Sequence, residues 1–123
     1  MATDAPWKAI ALRKQAQRQS RIPSAWLLKT PPLTSILDVH SIPRTSGILD
    51  SRELSITENY DATSLADAIR SHQLTAEEVT IAFCKRAAIA QQVCNCLTEI
   101  FFDKAIERAK LLDKEYERTG KTL

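Results

Sequence analysis

Among the residues of this chain whose chemistry could build a site are two histidines, His40 and His72, three cysteines, Cys84, Cys94 and Cys96, the lysine Lys85 and the serines Ser64 and Ser71. A structural metal centre needs several N, O or S ligands that converge from paired positions. Cys94-Asn95-Cys96 offers one pair, with no second pair and no histidine nearby, so no metal is expected. Adjacent-but-one cysteines rarely bridge each other, and an odd cysteine count suits a reducing compartment. Nucleophilic catalysis needs a serine or cysteine with a base in reach and donors ready for an oxyanion. The two glycines cannot supply a phosphate-cradling loop or a backbone-lined oxyanion hole. No catalytic, cofactor-binding or metal-ligating residue is therefore assigned, and no cofactor is expected.

The elements that would carry these residues are written mostly as helices. Residues 6–19 read as a helix with Pro6 at its first position. From Ile22 to Thr45 the prolines Pro23, Pro31, Pro32 and Pro43 interrupt short apolar clusters, which predicts an extended arm lying on a body. Asp50 and Glu53 stand at the spacing of a capping box, with Leu49 and Leu54 as its staple, so a short helix starts at residue 50 or 51. Leu65, Ala68, Ile69 and His72 form the stripe of a helix over 63–72, followed by a tight connection from Ser71 to Leu74. Thr75 and Glu78, stapled by Leu74 and Val79, then open a long helix over 75–93.

On that helix Val79, Ala82, Phe83, Ala90 and Val93 share one side, while Ile81 and Cys84 project from the opposite one. Two apolar sides want cover, more than so short a chain is expected to supply. Arg86 falls inside the main stripe and is expected to meet a carboxylate. Cys96 to Phe101 reads as one short strand, and Phe102, Ala105, Ala109, Leu112 and Tyr116 as a final amphipathic helix ended by Gly120. The expectation is a mainly α chain of about four helices, one strand and a Pro-rich arm. Its organisation divides into residues 1–49, a basic helix and arm, and residues 50–123, an incomplete helical segment.

At 123 residues the chain could bury roughly two thirds of its unfolded surface. Apolar residues at 44% and charged residues at 26% lie near globular averages, which argues against wholesale disorder. Residues 1–30 carry Lys8, Arg13, Lys14, Arg18, Arg21 and Lys29 against Asp4, whereas the remainder carries eleven basic and fourteen acidic groups. A basic head on a mildly acidic body is not the footprint of a nucleic-acid binder. With no membrane-length apolar run and no signal-like apolar core, neither a membrane partner nor secretion is expected. The expected location is cytoplasmic. A mitochondrial presequence is the alternative, because Trp7, Ile10, Ala11 and Lys14 share one face of a basic first helix.

The stretch Leu74-Thr75-Ala76-Glu77-Glu78-Val79-Thr80-Ile81-Ala82-Phe83-Cys84-Lys85-Arg86, continuing to Gln92, with Asn95-Cys96-Leu97-Thr98-Glu99-Ile100 and the helix through Ala105, Ala109 and Leu112, resembles the N-terminal region of amidase-signature hydrolases. Fungal acetamidases and general amidases are the nearest type. Upstream, Ile36-Leu37-Asp38-Val39, Pro43-Arg44-Thr45-Ser46-Gly47-Ile48-Leu49 and Arg52-Glu53-Leu54 are similar to the preceding arm, interrupted by His40-Ser41-Ile42. The resemblance implies an α/β hydrolase of several hundred residues that cleaves carboxylic amides with a Ser, a second Ser bearing a cis peptide bond, and a Lys. None of that set transfers to a position here. The chain is thus expected to be an N-terminal fragment, inactive alone, whose partner is the remainder of an amidase domain or a second copy met through exposed apolar faces. A small amide would be a substrate only of the complete enzyme. The alternative is an independent helical module that docks on a partner such as an intact amidase subunit.

Overall fold

The computed structural model describes residues 5–32 and 34–122, and its centre is one helix clothed on two sides by the rest of the chain. Among the described residues there are six α-helices: α1 Pro6–Ser20, α2 Ile42–Thr45, α3 Ser51–Glu58, α4 Ala62–Arg70, α5 Ala76–Cys94 and α6 Phe102–Thr119. A turn of 3-10 helix, Ser24–Trp26, interrupts the arm. More helix is present in the arm than the spacing predicts, because Pro43 is seated in the first turn of α2, and Asp61 caps α4 so that it starts one residue ahead of the expected position. Both capping boxes read from the sequence form. Asp50 accepts from the Glu53 N–H at 2.8 Å while Glu53 accepts from the Asp50 N–H at 2.9 Å, and Thr75 and Glu78 reciprocate at 3.1 Å in each direction.

Helix α4 ends two residues before the predicted boundary. His72 lies outside it in the left-handed region, with φ of 59°, and its ring stacks on Tyr116 of α6 at 4.8 Å. Gly120 closes α6 at φ of 67°, a conformation that glycine adopts without a Cβ clash.

The Ala82 and Cys84 sides of α5 are both covered, contrary to the expectation that Cys84 would lack cover, whereas Ile81 stays half-buried. Ala82 packs with Ile56 of α3, Ala68 of α4 and Leu74 of the connection from α4 to α5, and Val79, Leu65, Ile69 and Tyr60 close around them. About 200° away around the helix, Cys84 and Ala88 pack with Ile22 of the arm, Ile100 and Phe102. Ala82 and Ala88 are completely buried, and their small side chains let neighbouring backbones approach α5 closely. Burial of Ile56 and Ile100, among the largest fully enclosed side chains, stabilises each cluster by about 1.5–3 kcal/mol per residue. The arm supplies the second face: Trp26 meets Phe102 at 5.6 Å between ring centres, and its carbonyl accepts from Gln92. Phe83, expected to face neighbouring helices, is instead 41% exposed.

The predicted strand does not form; no β-strand occurs among the described residues. Residues 96–101 run as coil beside α1, and side chains take the place of a ladder partner. Arg18 donates to the Leu97 carbonyl at 2.7 Å, Arg21 donates to the Ile100 carbonyl at 2.8 Å, and the Leu97 N–H donates to Gln91 Oε1 at 2.7 Å. A run with strand propensity remains coil when no edge is available to pair with it. Helix α1 buries none of its own residues and is held to this coil by Arg18, Arg21 and the Lys14–Glu99 ion pair.

Candidate functional site

The densest polar constellation lies where α3 meets α5, and it grows directly out of the two capping boxes. Glu53, committed by its position to the Asp50 N–H, also receives Lys85 of α5, whose ammonium donates to both carboxylate oxygens at 2.6 and 2.8 Å. The two side chains are only 18% and 13% exposed. Glu78 likewise serves both its own cap and Arg52 of α3, at 2.6 Å. At the other end Arg86 donates to Glu58 at 3.0 Å and to the Thr57 hydroxyl at 2.9 Å, so the arginine inside the apolar stripe finds the carboxylate it requires. Arg44 of α2 joins Glu58 from outside at 2.9 Å. Hydrogen bonds from Arg44 and then Arg86 hold the Glu58 carboxyl below its usual range, and the Arg52 hydrogen bond does the same for Glu78.

This arrangement saturates its own groups. Lys85 is ion-paired with both oxygens of a carboxylate, which leaves it a structural cation rather than a base for a hydroxyl. The Ser64 hydroxyl accepts from the Asp61 N–H at 2.9 Å and donates to the Asp61 carboxylate, completing the α4 cap. Ser71 donates to the Asp67 carbonyl at 2.8 Å at the end of the same helix. Cys84 is enclosed in the core, where burial pushes its thiol up. His40 sits in the arm beside Asp38, at 2.8 Å and fully in solvent, and His72 is stacked on Tyr116. The histidines, serines, Lys85 and Cys84 therefore occupy separate local roles. No group of three His, Cys, Asp or Glu side chains able to hold a metal ion occurs among the described residues, and no helix among them is long and apolar enough to cross a membrane.

Two polar devices have no signal in the local spacing. Asp113, on α6, accepts from the Ala76 N–H at 2.7 Å and the Glu77 N–H at 2.9 Å, the first free donors of α5. Lys110, one turn earlier on α6, pairs with Glu77 at 3.5 Å. The other device is the grip of Arg18 and Arg21 on the 96–101 coil. Beside that grip an open groove of about 690 Å³ runs between α1, the end of α5 and Pro31-Pro32, walled by Gln15, Gln19 and Asn95. The amides of Gln91 and Gln92 on its floor are already engaged with Leu97, Asn95, Leu28 and Trp26.

No protein-family model matches the chain. Individual proteins do. An amidase of Gibberella moniliformis is 43% identical over 95% of this chain and 23% of its own length. An acetamidase of Emericella nidulans is 43% identical over 91% of this chain and 20% of its own length. Among solved structures, fatty acid amide hydrolase superposes with a TM-score of 0.82 and 28% identity, over 95% of this chain and 21% of that one. The chain thus spans about a fifth of the length of the relatives it matches. Relatives named as amidases across nearly the whole of this chain, and the same backbone in a solved amide hydrolase, place it in the amidase-signature family, as that family's N-terminal region.

Proposed function

We propose that this chain is the N-terminal scaffold of a hydrolase converting a carboxylic amide and water to a carboxylate and ammonia, and that alone it has no hydrolytic activity. The observation that carries this reading is that Lys85, Ser64, Ser71 and Cys84 are each committed to a structural contact. An amide yields only to a nucleophile whose proton has somewhere to go. Here Lys85 is locked to Glu53, Ser64 and Ser71 finish helix ends, and Cys84 is enclosed. The span of about a fifth of its relatives supports the same reading. In it, the remaining domain covers side chains such as Phe83 and Leu111, which are large, apolar and exposed. The test is ammonia release from acetamide and benzamide by the purified chain, followed over hours. Background rates are expected. Turnover that survives repurification and disappears with one Ser→Ala change would refute the proposal.

A second reading rests on the double cover of α5. Because the chain furnishes both faces of its central helix, it has the makings of an autonomous helical module that docks through Phe83, Leu111 and the exposed Trp7 and Ile10 of α1. Sedimentation at several concentrations, with a hydrophobic dye alongside, separates the two. Self-association or dye binding supports the scaffold reading. A compact, cooperatively melting monomer without dye binding supports the module.

A further inference from the structure

We propose that Cys94 and Cys96 form a redox-active dithiol that closes to an intramolecular disulfide, a modification the bare one-residue spacing argues against. Both thiols are free and exposed. The deciding feature is the residue between them. Asn95 lies in the left-handed helical region, with φ 49° and ψ 47°. The distance between Cα atoms two apart is set by the middle residue's dihedrals: an extended residue holds them roughly 7 Å apart, a helical residue of either hand about 5.5 Å. Disulfides join Cα atoms about 4.4–6.8 Å apart, most often near 5.5–6 Å. Extended chain therefore lies at or beyond the limit, whereas this turn lies at the favoured value.

The turn is also held. The Asn95 N–H donates to the Gln91 carbonyl at 3.0 Å, and its side-chain oxygen accepts from Gln91 Nε2 at 2.9 Å and from Arg18 at 3.3 Å. One residue beyond Cys96, the Leu97 N–H donates to Gln91 Oε1, and the Leu97 carbonyl accepts from Arg18. Asparagine is among the few side chains that adopt the left-handed region readily. The backbone geometry for ring closure thus exists before oxidation, which lowers the entropic cost of bringing the sulfurs together.

The oxidant required is a low-molecular-weight disulfide. One cysteine thiolate attacks its S–S bond, forming a mixed disulfide and expelling one thiolate. The second cysteine thiolate then attacks the protein-side sulfur, forming the Cys94–Cys96 bond and expelling the other. The two cysteines lose two protons and two electrons, and the oxidant becomes two thiols. Cys84, enclosed in the core, is an internal control that stays reduced.

The test titrates the whole chain with glutathione buffers of increasing disulfide content, quenches with acid, alkylates, and maps the cysteines by mass. The expected product is lighter by two hydrogen atoms, with Cys94 and Cys96 both protected and Cys84 alkylated after unfolding. The same titration in urea, where the turn is released, should need a several-fold more oxidising ratio. Stable glutathione adducts on both cysteines, covalent dimers, or a midpoint unchanged by urea would overturn the proposal. Asn95→Val, which disfavours the left-handed region, should accumulate the mixed disulfide, and Asn95→Gly should close like the parent. If Asn95→Val fails to fold, judged by circular dichroism, the urea comparison decides.

Discussion

Replacing Asp113 by alanine tests a long-range contact that completes the start of the central helix. Its carboxylate accepts from the Ala76 and Glu77 N–H groups at 2.7 and 2.9 Å, so α6 caps the start of α5 from a distance of 37 residues. Loss of an N-terminal cap costs about 0.5–2 kcal/mol, and two donors are freed here rather than one, which places this site near the top of that range. Removing a negative charge from the positive end of a helix adds roughly 0.5 kcal/mol. Against this, alanine is the better helix former inside α6 by about 0.6 kcal/mol. The net expectation is a loss of roughly 1.5–2 kcal/mol. For a chain of this size that corresponds to a fall in Tm of roughly 5–10 °C. Asp113→Asn keeps one acceptor but no charge and should lose about half as much. Thr75→Ala removes only the acceptor for Glu78 and should cost about 1 kcal/mol, less than Asp113→Ala. Urea unfolding followed by far-ultraviolet circular dichroism provides the comparison. Asp113→Ala within about 0.5 kcal/mol of the parent, or less harmful than Thr75→Ala, would refute the idea that α6 completes the α5 cap.

Lys85→Met should destabilise the chain by roughly 2–3 kcal/mol, because it strands the Glu53 carboxylate at 13% exposure. Lys85→Met combined with Glu53→Gln should recover part of that loss in the same unfolding assay, since the amide oxygen put in place of the carboxylate can still accept from the Asp50 N–H; a double variant weaker than the single one would show that the pair is not the cause. The Glu78 and Glu58 carboxyls are depressed below their unfolded values by Arg52 and by Arg44 with Arg86. Their contribution is therefore present above the unfolded carboxyl range near pH 4.5 and is lost as pH falls through the lower folded values. Tm measured from about pH 6 to about pH 3 should drop, and Glu78→Gln should give a shallower drop; equal slopes would count against a coupled Arg52–Glu78 pair.

The helix starts are legible because they are local. A capping box needs only a short polar residue and a carboxylate three residues on, so Asp50 with Glu53 and Thr75 with Glu78 can be read from the text. Asp61 with Ser64 obeys the same geometry with a hydroxyl as the reciprocal acceptor, and its spacing is equally open to reading. The strand expected at 96–101 fails for the opposite reason: β propensity describes how a residue fits a sheet, and no sheet edge reaches these residues. What looks like a ladder segment has its Leu97 and Ile100 carbonyls held by Arg18 of α1 and by Arg21 just beyond it, each 79 residues earlier in the chain.

By itself the sequence determined the helical text, the two boxes that start α3 and α5, the Gly120 stop, the need of Arg86 for a carboxylate, and the resemblance that the relatives substantiate. These depend on interactions within about one turn or on patterns carried residue by residue. Only the tertiary structure decided that the arm and α6 clothe the Cys84 face of α5, that Lys85 belongs to Glu53, that Asp113 caps a helix in which it does not reside, and that Asn95 folds back between two cysteines. Each of these is fixed by contacts distant in sequence or by a dihedral that several residues could adopt. No spacing rule specifies such contacts, because the chain's path through space, rather than its local period, brings their partners together.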